Sequence, residues 1–437
     1  MGAPCSFSFS IFSKFVMSSE FNNQFSKYRL LTAVHAILWF GVVSIFPLYA
    51  EELSYERACE QAMEQQKFSE YSRNLQSLGE ARLEQASSFP NPSVFYEEES
   101  ARGSGDFDES SIGVSTRLDF LWKRGARIQA AREKNQIAAF QMQSRKLALS
   151  HEVGRLFVEH AYLKKDLSLL KDSLIQHRRA LGISRELLKK GMISSVSLKR
   201  IELKIEELEL ENLDLEAQIA GVVARFSSLV GRDDAIPENN FLLWDTTLNN
   251  QEKAVETALE GRPDLKSIEA MSVWAEKEES RVRVESMPEV FLDVSSKKYP
   301  GDEKGTFWGV SLELPIGEKR GDSSLAEAEH ASSTLAYQWA KLEVEREVRA
   351  VWKIWNHLQG DKTSASTKLE SDDTKYLRAQ QARFETGEST AFEYLDAMGA
   401  LLAGNRNRLA YLYKINTAYL DLAQSCATEL SFHGSNQ

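Results

Sequence analysis

The chain has 437 residues, of which 42% are apolar and 27% are charged, so it can bury a core and simple disorder is excluded. Its formal net charge of -11 argues against nucleic acid as a partner. A mean hydropathy of -0.38 excludes a bundle of membrane-spanning helices, and only 9 Pro and 23 Gly indicate long helices with few breaks.

The first 50 residues contain an apolar run that follows basic residues and ends at Ala50, before two glutamates. This pattern predicts a secretory signal peptide, residues 1–50, cleaved after Ala50. A membrane anchor of about 20 residues is the alternative, because the length permits it. Pro47 and the small Ala50 favour cleavage.

Two parts of the sequence repeat at a fixed distance. Gly191 and Gly387 are 196 residues apart, and so are the segments 92–125 and 288–321. A constant offset indicates duplicated units whose lengths are fixed. The domains follow: the signal peptide (1–50), a first repeat (51–230), a lateral periplasmic insert (231–261), a second repeat (262–430) and a tail (431–437).

Both repeats have one plan, a helix, two strands and a long helical hairpin. Gly191 and Gly387 are expected to reverse the hairpins, because glycine adopts the left-handed conformation at helix ends. The first repeat is predicted as a helix over 53–88, two strands, and helices over 126–189 and 194–230. The second is predicted as a helix over 264–286, two strands between Pro288 and Pro315, and helices over 322–386 and 390–428.

The strands alternate strictly in polarity, as in 111–120. One such strand could belong to a hairpin on a soluble core, but four strands of about 9 residues match the length that crosses a bilayer. Four strands cannot close a barrel, and an open edge in lipid leaves N–H and C=O groups unpaired. Three copies would supply 12 strands. The aromatic residues expected at the membrane interface are Phe120, Trp122, Phe307 and Trp308.

The returning helix of the first repeat has two apolar stripes. The first has coiled-coil spacing and consists of Leu198, Ile201, Ile205, Leu208, Asn212, Leu215, Ile219, Val222, Phe226 and Leu229. The second consists of Leu203, Leu210, Leu213 and Ala217. Two stripes predict neighbours on both sides, as in a wall of helices.

Two carboxylates follow the second glycine turn. Glu393 and Asp396 are three residues apart and share one face of the first helical turn. They could stay solvated and interact with the helix dipole. If several copies surround an axis, they would form rings of negative charge that favour cations and act as a pore gate.

Nothing in the sequence indicates an enzyme. Gly103-Ser-Gly105 lacks the helix and third glycine of a nucleotide loop, no His-Glu-x-x-His occurs, and the seven histidines are scattered. We therefore predict no catalytic residue, cofactor or metal site. Cys59 and Cys426 could pair if the chain ends meet, or stay separate as small apolar side chains.

Several motifs together resemble the TolC-like outer-membrane efflux protein family along nearly all of the chain after residue 50. They are Phe89-Pro-Asn-Pro92, Arg262-Pro-Asp-Leu265, Arg383-Phe-Glu-Thr-Gly387 and the twofold repeat. The segment 122–127 is most similar to the heavy-metal cation efflux branch.

This resemblance implies a mainly α chain with a small β part, in a trimeric α/β-barrel. Each chain of the homotrimer gives four strands to a shared 12-strand barrel in the outer-membrane lipid, and long coiled-coil helices form a periplasmic tunnel. The channel would passively export small molecules or metal cations, joined through a periplasmic adaptor (membrane fusion) protein to an inner-membrane pump. Alternatives are the outlet of a type I protein secretion system and an exported soluble coiled-coil adaptor or scaffold.

By the same resemblance, Glu393 and Asp396 match acidic gate positions. The adaptor-docking tips would be Gly191, Met192, Ile193, Ser194, Gly387, Glu388, Ser389 and Thr390.

Overall fold

The computed structural model describes residues 51–103, 107–238, 250–315, 320–360 and 373–430. The predicted signal peptide, the C-terminal tail and the middle of the insert lie outside the described residues, as do positions 361–372 of the helix predicted over 322–386.

Helices make up most of the described chain. They are α1 (Tyr55–Glu64), α2 (Gln66–Ser87), α3 (Phe120–Lys189), α4 (Ser195–Val230), α5 (Gln251–Gly261), α6 (Pro263–Glu285), α7 (Arg320–Gln359), α8 (Asp373–Glu385) and α9 (Ala391–Ser425). The strands are β1 (Glu51–Leu53), β2 (Ser93–Ala101), β3 (Phe107–Arg117), β4 (Ala235–Pro237), β5 (Glu289–Lys298) and β6 (Lys304–Glu313).

Two helix predictions differ from the structure. The helix predicted over 53–88 is interrupted at Gln65, whose backbone leaves the helical region and whose side-chain Nε2 donates to the carbonyl oxygens of Ser228 (2.9 Å) and Leu229 (2.5 Å). Gln65 thereby satisfies carbonyl groups at the end of α4. The helix predicted from 126 begins at Phe120, because a single glycine, Gly125, is tolerated within a long helix.

Helix α3 is the longest element and the centre of the packing. Its 70 residues correspond to about 105 Å at ~1.5 Å per residue. Phe157 on α3 packs edge-to-face against Tyr55 on α1 (6.0 Å between centroids) and against Phe226 on α4 (5.5 Å). The core therefore follows the helices lengthwise.

The predicted stripes on α4 have different environments. The coiled-coil stripe is buried: Ile201, Leu208, Val222 and Phe226 are at most 1% exposed. The second stripe is on the surface of the chain, with Leu203, Leu210 and Leu213 exposed by 52 to 68%. The first stripe is thus confirmed as the packing face within the chain, and the second faces outward.

Two sheets are present among the described residues. Strand β1 pairs in parallel with β4 and ties the beginning of the described chain to the insert. The larger sheet has the order β2-β3-β5-β6, and all of its pairs are antiparallel. Each repeat contributes one hairpin, and the two hairpins join at β3 and β5.

Candidate functional site

The first helical tip joins α3 to α4. Gly191 has a φ of 72°, and the N–H of Met192 donates to the carbonyl of Leu187 at 2.9 Å, which closes the helix end. Ser194 then caps α4, because its Oγ accepts from the N–H of Ser197 at 3.2 Å. The predicted glycine reversal is confirmed at this tip.

The second tip joins α8 to α9 with the same backbone geometry. Gly387 has a φ of 77°, and the N–H of Glu388 donates to the carbonyl of Arg383 at 2.8 Å. A capping box follows: the N–H of Thr390 donates to Oε2 of Glu393 at 2.8 Å, and the N–H of Glu393 donates to Oγ1 of Thr390 at 3.2 Å. The glycine reversal is confirmed here too.

The two tips are in contact. A Cβ added at Gly387 would lie only 2.7 Å from Cε of Met192, so this methyl group covers the second turn. Just above, the guanidinium of Arg200 on α4 lies 4.8 Å from the ring centroid of Phe392 on α9. Sequence reasoning predicted both turns but neither contact, because residues this far apart in sequence carry no local pattern.

The proposed docking residues are not equally accessible. Six of the eight are exposed, and Ile193 is half-buried. Ser389 is only 7% exposed, because the chain folds back over the end of α8 after Gly387, and the N–H of Ser389 donates to the carbonyl of Arg383 at 3.1 Å. The structure therefore disfavours the prediction that the Ser389 side chain contacts a partner directly. Beneath the turn, Phe384 stacks on Tyr394 with centroids 4.9 Å apart.

The two gate candidates are both exposed near the start of α9. The N–H of Thr390 lowers the pKa of Glu393 by hydrogen bonding to its carboxylate, with further lowering by the Thr390 hydroxyl and by Arg383. Glu393 is therefore a charged helix cap. Asp396 lies three residues further on. The structure brings the two carboxylates to one end of α9, and their role in a gate stays a prediction.

A charged cluster above the tips holds three helices together. The guanidinium of Arg406 on α9 donates to both carboxylate oxygens of Asp166 on α3 (2.6 and 3.1 Å) and to Glu211 on α4. The side chains of Arg406 and Asp166 are 22% and 10% exposed. This cluster joins the two hairpins of the chain. Helical periodicity gave no indication of it, because a charged residue on a helix is usually expected to be solvated.

The Arg262-Pro-Asp-Leu265 motif has a structural role at the start of α6. Arg262 pairs with both oxygens of Asp264 (3.1 and 2.7 Å) and reaches Glu347 on α7 at 2.6 Å. Burial raises the pKa of Asp264, but the guanidinium outweighs burial and leaves that pKa below its ordinary value. Pro263 occupies the first helical position, where its missing N–H is tolerated.

Three buried histidines lie along α3. His151, His160 and His177 are at most 1% exposed. Burial, followed by the nearby cations Arg155 and Lys164, lowers the pKa of His151 and of His160 to about 4. Both imidazoles are consequently neutral near neutral pH.

The larger sheet has one apolar face and one polar face. Residues directly opposite one another share a face, so Val94, Val114, Val294 and Trp308 lie in one row. The opposite face carries Ser111, Gly113, Ser115, Asp293, Ser295, Gly309 and Ser311. This is the pattern expected of a strand with lipid on one side and water on the other.

The predicted interface aromatics divide between several positions. Phe307 and Trp308 are neighbours in β6 and therefore lie on opposite faces, so Phe307 belongs to the polar face. Trp308 is on the apolar face but in the middle of its strand, because β6 already begins at Lys304. Phe120 and Trp122 lie in the first turn of α3, where Phe120 packs edge-to-face on Phe89 at 5.3 Å.

Within the described ranges there is no group of three or more His, Cys, Asp or Glu residues that could hold a metal ion. Over the same residues, no helix is both long and apolar enough to cross a membrane. Cys59 and Cys426 are buried and free, so the alternative in which they stay separate is confirmed.

The comparisons with known proteins agree with this geometry. The model of the family described as outer membrane efflux protein matches residues 75–232 and 254–428, which is well over half of the chain. The chain therefore belongs to the outer membrane efflux protein family. No curated protein matches the sequence.

Solved outer-membrane channels have the same fold. CusC has a TM-score of 0.68 at 15% identity, covering 86% of this chain and 93% of its own. VceC from Vibrio cholerae has a TM-score of 0.68 at 16% identity, covering 86% and 96%. The open state of MtrE from Neisseria gonorrhoeae has a TM-score of 0.65 at 16% identity, covering 86% and 89%.

Family and fold confirm the main predictions. The chain is an outer membrane efflux protein, and it is not an enzyme. Its fold is mainly helical with a small β part, as in these solved channels. The alternative of a soluble exported scaffold is set aside.

Proposed function

We propose that this chain forms a homotrimer that is the exit duct of a tripartite efflux system. In this arrangement residues 51–230 and 262–430 are equivalent halves, and 231–261 form a lateral insert. Three copies share a 12-strand barrel in outer-membrane lipid, and their helices enclose a tunnel that leads to the tips. Export through the duct is passive, with energy supplied by the partners.

The observation that carries this proposal is the open sheet. Among the described residues, β2 and β6 each pair on one side only, while their exposed apolar side chains include Val94 (74% exposed) and Val310 (57%). An apolar sheet face belongs in lipid, where unpaired N–H and C=O groups at an edge cost several kcal/mol each. Strand β6 of one copy therefore pairs with β2 of the next.

The internal repeat supplies a register for that pairing. Within the chain, Thr116 on β3 lies opposite Leu292 on β5. In the repeat, Leu312 on β6 is equivalent to Thr116, and Tyr96 on β2 is equivalent to Leu292, because each pair is 196 residues apart. The equivalent contact between copies therefore joins Leu312 to Tyr96 of the next copy. The pairing of β5 with β6 is shifted by two residues relative to the pairing of β2 with β3. The same shift between copies would place Leu314, instead of Leu312, opposite Tyr96.

Cysteine cross-linking tests this arrangement. Tyr96→Cys combined with Leu312→Cys or with Leu314→Cys should give, in one of the two variants, covalently linked trimers after mild oxidation. Tyr96→Cys with Trp308→Cys is the control, because these positions would be about 13 Å apart along the strand. The native Cys59 and Cys426 are buried and add little background. Monomers alone in both test variants would refute the shared barrel.

We infer further that the tips dock a periplasmic adaptor and, through it, an inner-membrane pump. The contact between Met192 and Gly387 supports this, because it makes one surface from both tips. Glu388→Arg, at an exposed tip position, should weaken co-purification with the adaptor while the trimer stays intact. Binding unchanged by this charge reversal would remove Glu388 from the contact. Isolation with a protein-secreting ATPase would assign the duct to type I secretion instead.

We propose small molecules or metal cations as cargo, with Glu393 and Asp396 at the gate. Asp396→Asn should reduce the cation preference of single channels in planar bilayers, since it removes one carboxylate per copy. An unchanged reversal potential in a salt gradient would exclude Asp396 from the gate.

A further inference from the structure

Phenylalanines interrupt the polar face of the larger sheet. Phe95, Phe291 and Phe307 share that face with serines, glycines and charged residues. In a barrel whose outer face is in lipid, the polar face lines the water-filled lumen. Large apolar side chains there gain nothing from lipid, so they require another explanation.

Two of these residues lie at the same level of the sheet. Phe95 is opposite Gly113, Gly113 is opposite Ser295, and Ser295 is opposite Phe307. Phe291 lies on the same face but four residues nearer the helices, about 13 Å along the strand. We therefore define the aromatic band as the two rings at one level, Phe95 and Phe307.

Glycines let two of the rings lie against the sheet. A Cβ added at Gly113 would lie 2.6 Å from Cζ of Phe95 and 2.6 Å from Cβ of Ser295, so the Phe95 ring occupies the space above Gly113. Ser295, on the other side of Gly113, is only 6% exposed. The Phe307 ring approaches Gly309 in the same way, at 3.0 Å. These rings cover the wall without projecting across the lumen.

We propose that the aromatic band is a binding subsite for the aromatic parts of small-molecule cargo in the barrel lumen. This inference rests on the proposed function, because only a closed barrel turns the polar face into a lumen. Phe307 remains 55% exposed, so its ring is available to a passing solute. An aromatic solute can stack on these rings and shed water, and an organic cation gains attraction to the ring faces. A hydrated inorganic ion gains much less.

Single-channel recording with two organic cations tests the subsite. Tetraphenylphosphonium carries aromatic rings, and tetraethylammonium has the same charge without them. In the unaltered channel, tetraphenylphosphonium should block the current for longer. Phe307→Ser should shorten that block about threefold, and Phe95→Ser with Phe307→Ser about tenfold, with no change for tetraethylammonium.

The control is Tyr96→Leu, which removes an aromatic ring from the opposite face of β2 and should leave both blocks unchanged. Because Phe95 also packs on Gly113, the single variant Phe307→Ser keeps the test independent of a folding defect. Equal block by tetraphenylphosphonium in the unaltered and Phe307→Ser channels would overturn the subsite while leaving the channel itself established. Failure of the unaltered trimer to form any channel would instead refute the proposed function, and the subsite with it.

Discussion

The Arg406 cluster makes a quantitative prediction about what holds the two hairpins together. Arg406→Met leaves the carboxylate of Asp166 in a site where its side chain is only 10% exposed. Removing one partner of a buried ion pair lowers the free energy of unfolding by about 3–5 kcal/mol. Because the Arg406 side chain is 22% exposed, we expect a loss near the lower limit, about 3 kcal/mol. Denaturant unfolding of the purified channel, followed by helical circular dichroism, measures it.

The chain offers a matched control for this prediction. Arg155 on α3 pairs with Asp421 on α9 at 2.6 Å, and these side chains are 45% and 46% exposed. This ion pair joins the same two helices. Arg155→Met should nevertheless lower the free energy of unfolding by less than about 1 kcal/mol, because exposed pairs contribute little. Adding Asp166→Asn to Arg406→Met should recover part of the loss by removing the unpaired charge. Equal destabilisation by Arg406→Met and Arg155→Met would refute the reasoning from burial.

Further predictions concern the tips and the long helix. Gly387→Ala should destabilise the fold by about 1–2 kcal/mol in the same unfolding assay, and more than Gly191→Ala, since only Gly387 has a side chain against it. Glu393→Gln keeps a capping side chain but removes the charge, so stability should hold while single-channel cation preference falls; unchanged preference would leave Glu393 only a cap. For His151 and His160 the folded pKa of about 4 is below the ordinary 6.5, so unfolded chains bind more protons and stability should fall from pH 6.5 to about 4. His160→Gln should lessen that pH dependence, measured by unfolding at several pH values.

Periodicity predicted most of the fold because it is a local property. The buried stripe on α4, the alternating strands and the reversals at Gly191 and Gly387 each depend on a few neighbouring residues. Even the position of Phe307 on the polar face follows from alternation, since Trp308 next to it belongs to the apolar set. The membrane-interface prediction for Phe307 used proximity to the strand end and did not consider the side of the strand, so it stays a prediction that the register of β6 disfavours.

Contacts between distant segments could not be predicted in this way. The break at Gln65 depends on the carbonyl groups of Ser228 and Leu229, which no local pattern around residue 65 reveals. The same holds for Arg406 and Asp166, which are 240 residues apart. Such pairs require the helices to be packed before the partners can be identified.

The two tips differ at one position that bears on the gate. Ser194 and Thr390 are equivalent helix caps, 196 residues apart, and three residues further the first repeat has Ser197 where the second has Glu393. The backbone geometry is the same, so the added carboxylate is not needed to form the turn. It satisfies the N–H of Thr390 and also concentrates negative charge on one repeat only. In three copies, this repeat would bring three such charges to the end of the tunnel, with neutral hydroxyls at the equivalent positions of the other repeat. Cation preference at the gate would then depend on the second hairpin, while the first serves as its support.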